Sequence, residues 1–372
     1  MKNMNLANIL ITKRREKGVT QDELAAHVGV SKGSVSKWEN GNTFPDIMLL
    51  PVIAEYFAIT IDQLMNHSPQ LSETEMTKIY TRLIDDFSNK PFEEVITECD
   101  SLVKRHYSCF GFLRYVVLLY INHASMAETA DRKAQIFQMA IDLCKHILQN
   151  CREPNLLQMV TMLKGTCYIQ IGQPEKVIEL LCDENQMPLQ YGIGNGALVS
   201  TAHQLLRNMD KANEIEQIEL YQNLLSVFDG LMSYLRLNLG NYDTAKPIFD
   251  RAKTIAKTFN MRRLNLNDEL ILYALGAHMY QAAGESEQAL ETLGTLVDVC
   301  LHGHYPFRAR GDAFFDRVDK WLDDQYPAPR NENVIKEHIL NDILLDPAFE
   351  NLHSKQEFTN LIQKMRNFIG RE

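Results

Sequence analysis

Apolar positions recur every three to four residues along almost the whole chain, and this spacing predicts one helix after another. Five short helical stretches are separable within residues 5–66. They begin near Asn5, Thr20, Ser31, Asp46 and Thr60. Thr20 precedes Glu23 by three residues, which is a capping box, and Gly29 suits the tight turn that follows. Val35 and Trp38, three residues apart, are expected to face inward.

From Ser72 onward no run of alternating β-branched residues occurs, so the rest of the chain is also predicted to be helical. The polar, proline-containing stretch before it is the best boundary. We therefore predict an all-α fold with a small domain over residues 1–66 and a linker over 67–72. A helical body follows over 73–325, and residues 326–372 form capping or dimerisation helices; the sequence leaves these two roles open.

The second and third predicted helices, joined by a turn at Gly29, form a helix-turn-helix arrangement. Five groups of residues fall at the spacing of one known family. They are Thr20-Gln21, Leu24-Ala25, Gly29-Val30-Ser31, residues 35–41 and Pro45-Asp46. Over nearly all of residues 5–66 the segment resembles the Cro/repressor (XRE) type of DNA-binding domain. That resemblance implies a five-helix domain that binds double-stranded DNA.

A recognition helix of this kind places its N-terminal residues against base edges in the major groove. By resemblance, Gln21 would hold a phosphate or an outer base, and Asn40 and Thr43 would meet the DNA backbone. Lys13, Arg14 and Arg15 are expected to add electrostatic attraction. Gly33 replaces the family's usual larger polar residue, which leaves fewer base contacts. The predicted DNA-binding residues are Gln21, Ser31, Lys32, Gly33, Ser34, Ser36, Lys37, Asn40 and Thr43.

Three segments of the body share one pattern, a turn glycine followed by a small or branched residue and then a large apolar one. They span residues 163–181, 232–252 and 276–293, with Gly172, Gly240 and Gly284 at the turns. This resembles the tetratricopeptide repeat of about 34 residues. Gly172 and Gly240 are 68 residues apart, which leaves room for a degenerate repeat over 193–225. The 44 residues between Gly240 and Gly284 predict an insertion near 261–267.

Repeats of this type stack with the first helix of each pair on a concave face. The residues predicted to line it are Thr166, Gln170, Ser200, His203, Gln204, Tyr234, Asn238, His278 and Gln281. Gln170, Gln204 and Asn238 are 34 residues apart, and a carboxamide both donates and accepts hydrogen bonds as a peptide group does. The row is a candidate clamp for an extended peptide, although polar residues are also common just before a helix-ending glycine.

Charge confines any nucleic-acid contact to the N-terminal domain. Residues 1–66 carry seven basic and seven acidic residues, so the remaining 306 carry the whole net charge of −10. An acidic body repels nucleic acid and favours a cationic or neutral ligand. The longest apolar run, residues 115–121, is far shorter than the roughly 20 residues of a membrane span. No leader is apparent, and seven dispersed cysteines indicate a reducing, cytoplasmic setting.

The sequence recommends neither a cofactor nor a metal. Cys300, His302 and His304 lie within five residues, but zinc ligands are usually spaced in wider pairs. No catalytic motif occurs, so we expect a protein that is not an enzyme; an undetected activity such as a phosphatase is the weakest alternative.

An XRE-like domain with a tetratricopeptide-like body resembles cytoplasmic transcriptional regulators of Gram-positive bacteria, among them the RNPP-type peptide-pheromone sensors. The resemblance implies a homodimer that binds a near-palindromic operator and senses a short peptide effector. The alternative is a scaffold whose repeats dock a partner protein.

Overall fold

The computed structural model describes residues 6–65, 70–190, 194–303, 308–323 and 332–370. They form helices and no strand, which confirms the all-α prediction. The chain divides into two compact units, Met1–Ile171 and Gly172–Glu372. Half of the predicted linker (67–69 of 67–72), His304 and the proline-containing stretch 326–329 lie outside the described residues. No helix in the described ranges is long and apolar enough to span a bilayer.

The N-terminal domain contains the five expected helices, and three of them, α2, α3 and α5, begin at the predicted caps. They are α1 (Leu6–Glu16), α2 (Gln21–Val28), α3 (Lys32–Glu39), α4 (Leu50–Tyr56) and α5 (Ile61–Leu64). Thr20 and Thr60 form capping boxes, and Gly29 ends α2 with φ of 78°, a left-handed conformation that favours glycine. After Asp46 a short 3₁₀ turn precedes α4. Leu10, Leu24, Val35, Trp38 and Ile53 belong to the domain's buried core.

The rest of the first unit consists of helices joined by short loops, each packed on its neighbours. They are α6 (Glu73–Asn89), α7 (Phe92–Arg105), α8 (Phe110–His123), α9 (Ala130–Asn150) and α10 (Pro154–Gln170). Within them α6 packs on α8, and α8 packs on α10.

The second unit begins with α11 (Pro174–Leu181), α12 (Asn195–Leu205), α13 (Met209–Leu237) and α14 (Tyr242–Thr258). It continues with α15 (Met261–Leu264), α16 (Leu266–Ala282), α17 (Ser286–Leu301), α18 (Asp319–Asp323), α19 (Glu332–His338) and α20 (Gln356–Ile369). The short helix α15 lies where the sequence predicts an insertion, near 261–267. Helices α13, α14 and α16 share one apolar core, and α16 and α17 share a second with the tail.

One prediction about the second unit holds only in part. The degenerate repeat expected over 193–225 has its internal turn between α12 and α13, but no turn follows near residue 225, because α13 runs unbroken for 29 residues through that point. Gly230 lies inside it, and a single helical glycine costs only about 1 kcal/mol. Burial of Leu224, Phe228 and Met232 on one face outweighs that cost, so the helix continues.

The apolar stripe of the tail packs within its own unit. Phe358 and Met365 of α20 are fully buried, and Leu361 and Ile362 are partly buried against the same core. Helix α20 packs directly on α17. Two of the three possible metal ligands near residue 302 lie within the described residues. Cys300 is buried in that core, and His302 bonds the Asp298 carboxylate of its own helix at 2.9 Å.

Candidate nucleic-acid interface

Helix α3 is held at its N-terminus by two serines of the predicted DNA-binding set. The Ser31 hydroxyl accepts a hydrogen bond from the Ser34 amide at 3.2 Å, and the two hydroxyl oxygens lie 3.0 Å apart. This is an N-cap, which satisfies one of the amides that a helix start leaves unpaired. Ser31 therefore fixes the start of α3 in addition to any contact it makes with DNA.

The outward side of α3 and of the segment after it is polar. Lys32, Gly33, Lys37, Asn40 and Thr43 are exposed, whereas Ser34 and Ser36 are half-exposed. Val35 and Trp38 are buried on the opposite side, at 0% and 5% exposure, as the sequence predicts. An alanine-sized side chain at Gly33 would meet only the Ser31 hydroxyl, at 3.8 Å. Steric crowding therefore does not explain the glycine at position 33.

The two lysines of α3 differ in their partners. The Lys32 ammonium lies 2.6 Å from the Asp22 carboxylate of α2, in an exposed ion pair. Lys37 is also exposed, but none of the described carboxylates pairs with it. Exposed ion pairs contribute at most about 1 kcal/mol, so Lys32 remains available to a phosphate at a small cost. Lys37 is available to a phosphate without breaking an ion pair.

A carboxylate that the sequence analysis did not nominate joins three helices beneath this surface. Glu39 at the end of α3 accepts hydrogen bonds from Arg14 of α1, at 2.6 and 2.9 Å, and from the Gln21 amide of α2, at 2.8 Å. Its side chain is only 4% exposed. Gln21, predicted to hold a phosphate, thus has one amide N–H already engaged.

The electrostatics of this cluster stabilise its charged form. Burial raises the pKa of Glu39, but the hydrogen bonds from Arg14 and Gln21 and the charge of Arg14 outweigh it, and the pKa lies below its usual value. Hydrogen bonding to Glu39 likewise raises the pKa of Arg14. The expectation that Arg14 adds free positive charge is wrong, because its guanidinium forms a bidentate pair inside the domain. Lys13 is similarly paired with Glu16 at 2.7 Å.

The residues predicted to line a concave face fall into both units. Thr166 and Gln170 belong to the first, and the other seven belong to the second. Thr166 is half-buried and bonds the Met162 carbonyl of its own helix. Gln170 is exposed at the end of α10. Their part in a ligand site stays a prediction.

In the second unit the predicted residues differ in accessibility. Ser200 and His203 are buried, at 0% and 1% exposure, so their side chains are packed inside the unit. Burial also lowers the pKa of His203. Gln204 is exposed and donates to the Ser200 hydroxyl at 3.3 Å. Asn238 is half-buried and donates to the carbonyl of the exposed Tyr234 at 2.9 Å.

The last two predicted residues contact the tail. His278 is half-buried, with its ring 3.8 Å from an Asp346 carboxylate oxygen. The Gln281 amide donates to the Asn351 side chain at 2.8 Å. These two side chains hold the tail against α16 through polar contacts.

Comparisons with known proteins bear on the N-terminal domain. A family model described as helix-turn-helix matches residues 10–64. The HTH-type transcriptional activator BcrR of Enterococcus faecalis is 38% identical over 73 residues, or 18% of this chain and 36% of that protein. The match thus spans about a third of that relative's length.

Two solved structures align with most of the chain. One is ComR from S. thermophilus in complex with DNA and its signalling peptide ComS, at 11% identity over 79% of this chain and 92% of that chain, with a TM-score of 0.19. The other is the apo form of the competence regulator ComR from Streptococcus vestibularis, at 12% identity over 87% and 99%, with a TM-score of 0.18. The family match and the capped, outward-facing α3 agree on the N-terminal segment. Residues 10–64 of this chain form a helix-turn-helix domain.

Proposed function

We propose that this protein is a DNA-binding transcriptional regulator that acts in the cytoplasm. The observation that carries the proposal is the outward face of α3, whose lysines and hydroxyls are exposed while its apolar residues anchor it in the domain core. Phosphate contacts by lysine supply affinity, and base-edge contacts by lysine and serine supply sequence preference. The net charge of −10 on the rest of the chain directs DNA to this one domain.

The helical body is proposed to sense a short peptide. In the first unit, exposed Gln170 stands at the end of α10, where a carboxamide has groups left for a peptide backbone. In the second unit, exposed Gln204 and half-buried Asn238 stand at the ends of α12 and α13. Gln204 and Asn238 each use one N–H on their own helix, which orients the amide without exhausting it.

Gating follows if the effector binds two conformations of the body with different affinity, because it then shifts the population between them. We propose a homodimer that reads two half-sites of a double-stranded operator. Such half-sites lie about one helical turn of DNA apart, so a small change in the spacing of the two α3 helices gates binding.

The second candidate function is a DNA-tethered scaffold that docks a partner protein. Helix α13 favours it, because Leu220, Val227 and Tyr234 are 43–55% exposed and stand seven residues apart. A seven-residue apolar period places side chains on one seam of a helix and is typical of helix–helix association between chains. A stoichiometric protein partner lost on Val227→Glu would favour this reading over peptide sensing.

The test of the regulator proposal is selection of bound sequences from a library of random 30-base-pair duplexes by the full-length protein. Enrichment of one near-palindromic sequence is expected. Its affinity is then measured by anisotropy with and without a peptide fraction of culture medium. A change in affinity with the peptide fraction supports peptide sensing. Enrichment of a sequence without a change in its affinity supports the scaffold. If no sequence is enriched, sequence-specific binding is contradicted.

Lys37→Ala is expected to weaken binding to the selected duplex more than Lys32→Ala, because Lys32 must first leave Asp22. If the lysine contacts a base, its replacement is expected to cost about 1–3 kcal/mol of binding free energy, at particular base positions only. If the lysine contacts only phosphate, its replacement is expected to weaken binding equally for all sequences. The slope of log affinity against log salt concentration then drops by about one unit. Anisotropy at four salt concentrations separates the two.

The matched variant is Asp22→Asn, which releases Lys32 and removes a negative charge from the same surface. It is expected to tighten binding to any duplex and to steepen the salt dependence. Weaker binding by this variant would contradict the placement of Lys32 at the DNA.

A further inference from the structure

Arg114 lies in an aromatic and thioether setting within the first unit. It belongs to α8, which packs on α6 and on α10. Its guanidinium carbon stands 4.2 Å from the centre of the Tyr115 ring, and that ring is 4.8 Å from the Tyr80 ring of α6. On the other side, the Arg114 Nη1 lies 3.4 Å from the Met159 sulfur of α10.

This guanidinium has no anionic partner among the described residues. Among the described residues its buried Nε has no hydrogen-bond acceptor, and its one hydrogen bond is to a thioether sulfur, which is a weak acceptor. Three of the six other arginines in this unit, Arg14, Arg82 and Arg132, pair with a carboxylate among the described residues. A half-buried arginine is rarely left without one, because an unsatisfied charged donor is costly. The site is thus incomplete as it stands.

We propose that Arg114 is the receptor for a carboxylate of the peptide effector. This inference rests on the proposed peptide-sensing function and names the group that the ligand presents. The planar guanidinium fork matches a carboxylate bidentately, and the flanking Tyr115 ring and Met159 side chain reduce the water that would weaken the pair. The local chemistry thus selects an acidic group on the ligand, the opposite of what the acidic body as a whole favours.

The carboxylate has two sources in a peptide, its C-terminus or an Asp or Glu side chain. Three libraries of random heptapeptides separate them: free acids without Asp and Glu, the same sequences amidated, and amidated sequences that include Asp and Glu. Each is captured on immobilised full-length protein and quantified by mass spectrometry. Retention of the first or the third library, but not of the amidated neutral one, is expected.

Arg114→Gln is expected to weaken the retained peptides roughly 10- to 100-fold, the loss typical of one hydrogen-bonded charge pair. Arg114→Lys keeps the charge without the fork and should give an intermediate loss. Arg152→Gln, at an exposed arginine before α10, is the control and should bind as the wild type does. Thermal unfolding of each variant confirms that it is folded.

Equal retention of all three libraries, or unchanged binding by Arg114→Gln, would overturn the carboxylate receptor and leave peptide sensing intact. Retention of no library by the wild-type protein would overturn peptide sensing itself, and this inference with it.

Discussion

Trp38→Ala is expected to unfold the N-terminal domain and to abolish DNA binding. Trp38 is 5% exposed and packs in the one core that joins α1 to α5. Truncating a buried aromatic side chain costs about 3–5 kcal/mol, which is comparable to the whole stability of a domain of this size. Hydrogen exchange read by mass spectrometry should show loss of protection throughout residues 6–65.

The control is Phe44→Ala in the same domain, because Phe44 is 61% exposed and its removal should change stability by less than about 0.5 kcal/mol. Trp321, half-buried in the second unit, reports in the Trp38→Ala variant whether that unit stays folded. A protected N-terminal domain after Trp38→Ala would show that the side chain is not part of the core.

Arg14→Met is expected to destabilise the same domain by about 3–5 kcal/mol, because it leaves the Glu39 carboxylate buried without its cation. The measurement is urea unfolding followed by Trp38 fluorescence in a Trp321→Phe background, where only this domain is reported. Lys13→Met removes a neighbouring, exposed pair with Glu16 and should cost less than about 1 kcal/mol.

The stabilities of the wild-type domain and of the Arg14→Met variant should also change with pH in opposite directions. In the wild type the pKa of Glu39 is lowered, so its contribution is present above the unfolded value of about 4.3 and is lost as the pH falls through the folded one. In Arg14→Met, burial prevails and raises that pKa, so stability falls as the pH rises from about 4 toward neutrality.

The double variant Arg14→Met with Glu39→Met is expected to regain much of the loss, because a buried ion pair exchanged for apolar side chains is often neutral. A double variant as unstable as Arg14→Met alone, with no change of pH dependence, would mean that the buried charge is not the cause.

Local chemistry made the N-terminal domain readable from sequence. The caps at Thr20, Ser31 and Thr60 each use a partner three residues away, and Val35 and Trp38 lie one helical turn apart. Such signals lie within a single window of sequence. They were sufficient for all five helices and for the inward side of α3.

Contacts between distant residues were not readable. Arg14 and Glu39 are 25 positions apart, and nothing in either neighbourhood distinguishes this arginine from Lys13 or Arg15. The one signal available was that Glu39 is the only acid of α3 and directly follows a core residue. Arg114 gave no signal either, because the lack of a partner appears only when α8 and α10 are packed.

The repeat pattern predicted a turn near residue 225 that the structure does not have, for a related reason. A fixed interval between turn glycines assumes that every repeat ends in a turn, but tertiary burial decides whether it does. The buried residues of α13 form a continuous face from Ile218 to Leu235, and that face overrides the expected break. The same packing placed Ser200 and His203 inside the unit, although their sequence positions matched an open face.

The unbroken α13 has a mechanical consequence. At 1.5 Å per residue its 29 residues make a rod about 44 Å long. Near one end Gln217 bonds Asp316, and at the other Asn238 ends the helix before α14. A stack of short helices yields a little at each turn, whereas a rod transmits a tilt along its whole length.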